Sequence, residues 1–376
     1  MTSFRILALG AASAALVAGC DRPEAATGTS NPPVQAVAAS DQSQPASANA
    51  VDSFASETKT FRNWTVVCDN INTCTAYGPA EENVGYLIIS MAAGPSARPE
   101  VSMGNCCLGE AGEVLRFSID GGKILGKQKH GVMFGSHMGV TPASDQLISE
   151  IANGRFLTME AGEQTVHKID VPLTGAAAAL LWIDERQGRL GTTTALIRKG
   201  DKPASAVPEA APPPRVVAAP RVPQTQLPEA MPRSLSSLAA VRECASENAQ
   251  DISRDEIYDV HRLGPDTLLW SVPCGSGAYN FSRLWLTSAN DGSQAKLVSF
   301  PTSGRPEQTL VNSGFDPESN SISAFNKARG AGDCGSMASW MWTGSAFALT
   351  SEYIMGDCLG MPWEFWPSTW RATVQD

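Results

Sequence analysis

The feature that most constrains this chain is an apolar leader placed ahead of its cysteines. Met1 to Arg5 carries one positive charge, and the run "ILALGAASAALVAG" from Ile6 to Gly19 leads directly into Cys20. About 14 apolar or small residues match the core of a secretory signal peptide, whereas a bilayer-spanning helix needs about 20. No later run is long and apolar enough to span. Export would bring Cys68, Cys74, Cys106, Cys107, Cys244, Cys274, Cys334 and Cys358 into an oxidising compartment. Eight is an even number, so the chain is expected to fold outside the cytoplasm around disulfides.

The junction "LVAGC" resembles a bacterial lipobox, in which a peptidase cuts before the cysteine and its thiol is diacylated. Cys20 is therefore the expected lipidation site, carrying palmitate-type chains, and residues 1–19 form a lipoprotein signal peptide. Each buried methylene of such an anchor adds about 0.8 kcal/mol of membrane affinity. The expected location is the cell membrane facing the periplasm, with the membrane itself as one partner; Asp21 leaves inner versus outer membrane open. The net charge of −10 argues against a nucleic-acid partner, because phosphate binding needs clustered Lys and Arg.

Two low-complexity stretches divide the rest. Residues 20–60 are rich in Ala, Ser, Pro, Gln and Thr and read as a flexible tether. "DKPASAVPEAAPPPRVVAAPRVPQTQLPEAMP", residues 201–232, reads as an extended, semi-rigid proline-rich linker. Between and after them lie modules 61–200 and 233–376, each about 140 residues, an ordinary domain size. The first begins with strand-like runs such as "NWTVVCDN", "TCTAYG", "GYLIISMAA" and "EVLRFSID". It continues with a helix capped by Thr141 and stopped at Asn153-Gly154, two more strands, the helix "GAAAALLWIDERQG" and a final strand "TTTALIRKG". The second module starts with one helix, "SLSSLAAVRECASEN", capped by Ser234, and is otherwise strands joined by the turns "GPD", "NDG" and "TGS". The expected class is mainly β with some α: a sandwich-like N-terminal domain with two helices, then an antiparallel sheet domain with one leading helix.

"RGAGDCGS", Arg329 to Ser336, admits three readings. Gly330, Gly332 and Gly335 spell a dinucleotide fingerprint, with Glu352 placed as a ribose-binding acid, but this requires a helix after the glycines. Cys334 as a protease nucleophile requires a nearby base, and His261, the module's one histidine, lies about 73 residues away, too close for a double-barrel protease. The third reading is a disulfide in a glycine-rich turn. The four cysteines of this module allow three connectivities; the expected one joins Cys334 to Cys358 and Cys244 to Cys274. Closing the 334–358 loop would contribute roughly 3–4 kcal/mol. Cys68 and Cys74 flank a short hairpin and are expected to bridge it. Adjacent Cys106 and Cys107 leave open a strained ring, partners elsewhere, free thiols, or a vicinal redox or metal role.

His130, His137, His167 and His261 lack metal-ligand spacing, no G-x-S-x-G elbow occurs, and no cofactor is expected. Glu185 and Arg189 stand i,i+4 on the second predicted helix, an ordinary ion pair; Asp184 and Arg186 are better placed for a site, without a nucleophile nearby. Tryptophans crowd the second module. Trp340 and Trp342, two apart, should share a strand face. "MPWEFWPSTW" is proline-broken and aromatic, so Trp363, Trp366 and Trp370 form a candidate binding surface for a glycan or partner protein; the alternative is a C-terminal strap over the sheet.

Together "NWTVVCDNINTCTAYG", "AAAALLWIDERQGRLGTTTALIRKGD", "VHRLGPDTLLWSVPCGSGAYN" and "KARGAGDCGSMASWMWTGSAF" resemble the bacterial domain of unknown function 1176 family, from about residue 60 to the end. The first module is also similar to the invasion-associated locus B family, through the W-x-x-x-C of Trp64 to Cys68, the following Cys74 and the late Ala-rich helix. Both resemblances imply export and a non-catalytic, β-rich scaffold, and neither implies a defined reaction; Cys106 and Cys107 depart from the pattern. The expected role is an uncharacterised cell-envelope binding or scaffold protein whose partner is an envelope protein or cell-wall glycan. The alternative is an enzyme acting on cell-wall glycan or peptide.

Overall fold

Period-two burial explains how the layers arise. The computed structural model describes residues 55–375, apart from 82–83, 106–113, 130–135, 141–142, 162–166 and 248–257. The leader, Cys20, Cys106, Cys107 and His130 lie outside the described residues. In the first module, β1 (Glu57–Phe61), β2 (Trp64–Cys68), β3 (Cys74–Pro79), β4 (Gly85–Met91) and β5 (Glu100–Asn105) are consecutive antiparallel neighbours. After β6 (Val114–Ile119) and β7 (Ile124–Lys129), β8 (Ser136–Val140) returns to close this six-stranded sheet beside β5. Helix α1 (Asp145–Asn153) follows, then β9 (Phe156–Ala161), β10 (His167–Pro172) and α2 (Ala176–Arg186). A second sheet runs β10-β9-β6-β7.

Trp64, Val66, Ala76, Leu87 and Ile89 of the first sheet pack with Phe117, Leu157 and Met159 of the second and with Ile148, Leu180 and Ile183 of the helices. The intervening residues Val67, Tyr77, Tyr86 and Ile88 face the other way and are equally buried, against Met355, Leu359, Met361 and Trp366 of the second module. β4 is therefore covered on both faces, which is why "GYLIISM" lacks polar alternation.

β11 (Arg215–Val217) lies in the proline-rich segment, and the second module begins with α3 (Arg233–Ser236) and α4 (Ala239–Glu247). β12 (Asp259–Gly264), β13 (Thr267–Ser276), β14 (Phe281–Ala289) and β15 (Lys296–Leu297) form one sheet in that order, with β16 (Thr309–Val311) also on β14. β17 (Gly314–Asp316), β18 (Ser321–Lys327), β19 (Gly335–Trp342), β20 (Phe347–Met355) and β21 (Ser368–Arg371) form another, and β22 (Thr373–Gln375) ends the chain's strands. Trp340 and Trp342 do share a face, packing with Phe347 and Leu349 against Leu269 and Trp285. The far side of β13 and β14, with Leu268, Trp270 and Leu286, is covered by Leu235, Val241 and Cys244.

The layers thus stack through four hydrophobic clusters, mainly β with few helices, as the patterning predicts. Trp64, Trp270, Trp285 and Trp340 are almost fully buried. Losing an aromatic side chain of that size from a core costs roughly 3–5 kcal/mol, whereas an exposed ion pair contributes about 0–1 kcal/mol. Aromatic packing dominates the stack. Cys68–Cys74, Cys244–Cys274 and Cys334–Cys358 are bonded, the pairings anticipated above.

Local structure departs from expectation in four places. Residues 57–60, expected as the end of the tether, belong to β1, because each pairs in register with β2. "TTTALIRKG" is a run of turns and bends rather than a strand, because the Asp184 carboxylate accepts the N–H groups of Leu196 (2.7 Å), Ile197 (2.8 Å) and Arg198 (3.4 Å) that a ladder would have used. The helix expected from Ser234 breaks into α3 and α4. Ser236 and Ser237 donate to the carbonyls of Arg233 and Ser234 at the break, and Ser234 donates to Gly292 O instead of capping. α1 is capped by Ser144, whose Oγ accepts Leu147 N–H at 3.1 Å, rather than by Thr141; Thr141 lies outside the described residues.

The proline-rich segment is extended, but it is docked rather than free. β11 pairs in parallel with β22, Ala219 N–H donates to Trp342 O at 2.8 Å, and Val207 and Val216 are buried. Non-proline residues between the prolines still carry N–H groups and apolar side chains, and the fold uses both.

Candidate functional site

The segment "RGAGDCGS" is structural. The chain passes from Gly335 into β19, not into a helix, so no helix N-terminus stands behind the glycines to receive a pyrophosphate. Cys334 is bonded to Cys358 and has no thiolate to offer, while His261 sits on β12 against the Phe315 ring, 4.9 Å between centroids. Asp333, Cys334 and Cys358 bring ligand-type atoms within 4.8 Å of one another. Both sulfurs are consumed by the bridge, and the carboxylate is held by Arg329 (2.7 and 2.5 Å) and Gly360 N–H (2.6 Å). Burial works to raise the Asp333 carboxyl, but these bonds prevail and hold it below the ordinary value. Its stabilising contribution is therefore complete above the ordinary aspartate value of 3.8 and lost as pH falls through the lower folded one. Urea unfolding across an acid pH series should show this slope, flattened in Asp333→Asn; equal slopes would exclude the role.

The Glu185–Arg189 ion pair does not form. α2 ends at Arg186, and Arg189, beyond the turn, is buried with its guanidinium on Gln187 Oε1 (2.7 Å), Ala92 O (3.0 Å) and Gly94 O (2.7 Å). Asp184 is committed to the following loop. Arg186 donates to Asn72 Oδ1, to Ala55 O and to Glu57, tying the end of α2 to β1 and the β2–β3 turn.

The three C-terminal tryptophans do not make one surface. Trp366 is buried, with its ring edge on Phe325 and its Nε1 donating to Met361 O. Trp370 packs partly buried against the second module's core and donates to Leu349 O. Trp363 is 50% exposed. Because β21 pairs with β20, this end of the chain is a strap that packs Trp366 and Trp370 inward and leaves Trp363 outside.

The concave site lies elsewhere, where the modules meet. Tyr77 Oη donates to Asp357 Oδ2 at 2.9 Å, Arg371 Nε to Asp69 Oδ2 at 2.6 Å, and Asn70 exchanges two hydrogen bonds with the Arg371 backbone. Beside these contacts opens a cleft of about 850 Å³, within the usual range for small-molecule sites. One wall carries Thr58, Thr60 and Thr65 of β1 and β2 with Tyr77. The opposite wall is a stripe in register across three strands, Ala324↔Ala338↔Glu352 and Asn326↔Ser336↔Ile354. The loop from Thr302 to Glu307 supplies the third side.

Glu352 is the buried charge of this cleft, 4% exposed. Thr369 Oγ1 donates to its Oε2 at 2.5 Å, and Ser303 N–H is shared between both oxygens at 3.2 Å. Glu307 is exposed on its loop, yet partial desolvation at the cleft and then the charge of Glu352 raise its carboxyl above the ordinary value. Burial and then Asp357 push the Tyr77 hydroxyl up, so it stays a protonated donor. Among the described residues, the lining carries the acids Glu307, Glu352 and Asp357 and one cation, Arg305. The arrangement accepts hydrogen bonds and favours positive charge.

Sequence reasoning missed this site. Glu352 is weighed above only as a ribose ligand, although a lone acid within the strand "FALTSEYIM" is itself a signal, since buried charges need a purpose or a partner.

The family described as protein of unknown function (DUF1176) matches residues 58–373. The uncharacterized protein YpfG of Escherichia coli (strain K12) is 30% identical over 335 residues, 83% of this chain and 92% of that protein. The crystal structure of invasion associated protein B from Bartonella henselae aligns with 35% of this chain and 99% of its own, at 15% identity and a TM-score of 0.27.

Proposed function

The chain belongs to the DUF1176 family of proteins of unknown function, and from that premise we propose that it is an exported, lipid-anchored binding protein of the cell envelope. The leader and "LVAGC" support the anchor at Cys20. Three disulfides suit an oxidising compartment. The cleft between the modules carries the binding role: it is preformed, hydroxyl-lined and acid-rich, and the ligand it suits is a polar cell-wall glycan. A hydrolase is the second reading, favoured by two carboxyl side chains, Glu307 and Glu352, lining one cleft, with Glu307 raised by desolvation and then by the Glu352 charge, since paired carboxyls suit acid–base work.

One experiment addresses both. The full-length protein, expressed as a lipoprotein, is incubated with purified peptidoglycan sacculi, and retention and newly released reducing ends are measured. Retention that weakens in Glu352→Gln, without reducing ends, supports binding. Accumulating reducing ends would replace it with hydrolysis, and no retention would remove the glycan ligand. Mass spectrometry of the same preparation should find a diacylated Cys20 N-terminus; an intact Met1 would overturn the anchor.

A further inference from the structure

We propose that the cleft selects a saccharide bearing a free ammonium group, an amino-sugar unit seated beside Glu307 and Glu352 with its hydroxyls on the threonine wall. This rests on the cleft being the ligand site and adds the class of ligand. Three observations lead there. The cavity is large enough for a saccharide fragment, about 850 Å³. Its walls are strand faces: β2, β18, β19 and β20 are each paired on both sides, and β1 is the end strand of its sheet. The side chains that these faces turn into the cleft are therefore its main recognition surface. Thr58, Thr60, Thr65 and Ser336 offer hydroxyls that both donate and accept, as sugar hydroxyls do.

The third observation is the charge. Glu352 is buried to 4% exposure, yet among the described residues its Oε1 accepts only the shared Ser303 N–H. A carboxylate has about four acceptor sites, so Oε1 retains capacity on a lining residue of the cleft. Arg305, the lining cation, leaves the site with more negative than positive groups. Desolvation first, and then the neighbouring Glu352 charge, raise the Glu307 carboxyl. An ammonium placed there would relieve the negative excess, whereas an acetylated nitrogen would bring no charge and a bulkier group.

The test is calorimetric titration of the full-length lipoprotein in detergent micelles with a glucosamine tetramer, its fully N-acetylated counterpart, spermidine and calcium chloride. The glucosamine tetramer should bind roughly tenfold or more tightly than the acetylated one, as expected when a desolvated charge pair is present in only one complex. Glu307→Gln and Glu352→Gln should each shrink that preference. Glu307 lies on an exposed loop, so its variant tests the idea even where loss of the Glu352 charge disturbs folding. Equal affinity for the two tetramers would overturn the ammonium while leaving a glycan cleft intact. Spermidine binding as tightly as the glucosamine tetramer would overturn the saccharide, and calcium displacing the tetramer would make the site a cation site instead. Absence of binding by either tetramer, with sacculi still retained, would overturn the amino-sugar class alone; absence of both would remove the cleft reading itself.

Discussion

Gly335→Ala is expected to prevent the chain from reaching its native structure. Gly335 has φ of 134°, a region that L side chains rarely occupy. A Cβ there would lie 1.9 Å from the Asn326 carbonyl oxygen and 3.0 Å from its carbon. The obstacle is backbone on a paired strand, Lys327↔Gly335↔Met355, so no side chain can swing aside. Relief requires breaking the start of β19 next to the Cys334 bridge. Such clashes exceed roughly 4–5 kcal/mol, comparable to the whole stability of many domains, about 5–15 kcal/mol. Near-ultraviolet circular dichroism and urea titration of the purified variant would report the loss. A midpoint close to the parent protein would show that β19 can shift, and that the glycine is not a requirement of the fold.

Arg189→Met is expected to cost roughly 3–5 kcal/mol, the range for removing one partner from a buried charge network. The guanidinium is fully buried and ties together two stretches of chain. It holds Ala92 O and Gly94 O after β4 and Gln187 Oε1 after α2, and the Gln187 amide in turn donates to Asn72 O and Met91 O. Methionine fills comparable space but leaves those acceptors unpaired and removes the positive charge near the Asp184 carboxylate, which keeps its backbone N–H donors. Arg189→Lys should recover only part of the loss, because an ammonium cannot reproduce the planar fork. Glu185→Ala is the control. It removes the partner that helical spacing assigns to Arg189, and should change stability by less than about 0.5 kcal/mol, as for an ordinary surface position. A large effect there would restore the ion pair and overturn the network.

The contrast between Glu185 and Arg189 shows what sequence spacing can and cannot decide. The i,i+4 rule is valid only while the helix continues, and α2 stops at Arg186. The signals that would have ended it there are an αL glycine at Gly188, which lies against Pro208, and a buried Gln187 whose amide donates to Met91 O at the end of β4. Both take their meaning from these distant partners. The tryptophans divide in the same way. Trp340 and Trp342 lie on a regular strand, where alternation alone assigns them one face. Trp363, Trp366 and Trp370 lie on a proline-broken strap, and their burial depends on what the strap crosses.

Local chemistry alone determined the strand-rich composition, the Cys68–Cys74 hairpin bridge, the end of α1 near Gly154 and the inward faces of most strands, because each of these acts over a few residues. Only the tertiary structure decided that the proline-rich segment lies docked, that β4 is buried twice, and that Thr58, Glu307 and Glu352 line one cleft. Tyr77 and Asp357, whose contact flanks that cleft, are 280 residues apart. Their meeting follows from how two twisted sheets stack, and no periodicity along the chain encodes the gap left where their faces do not close.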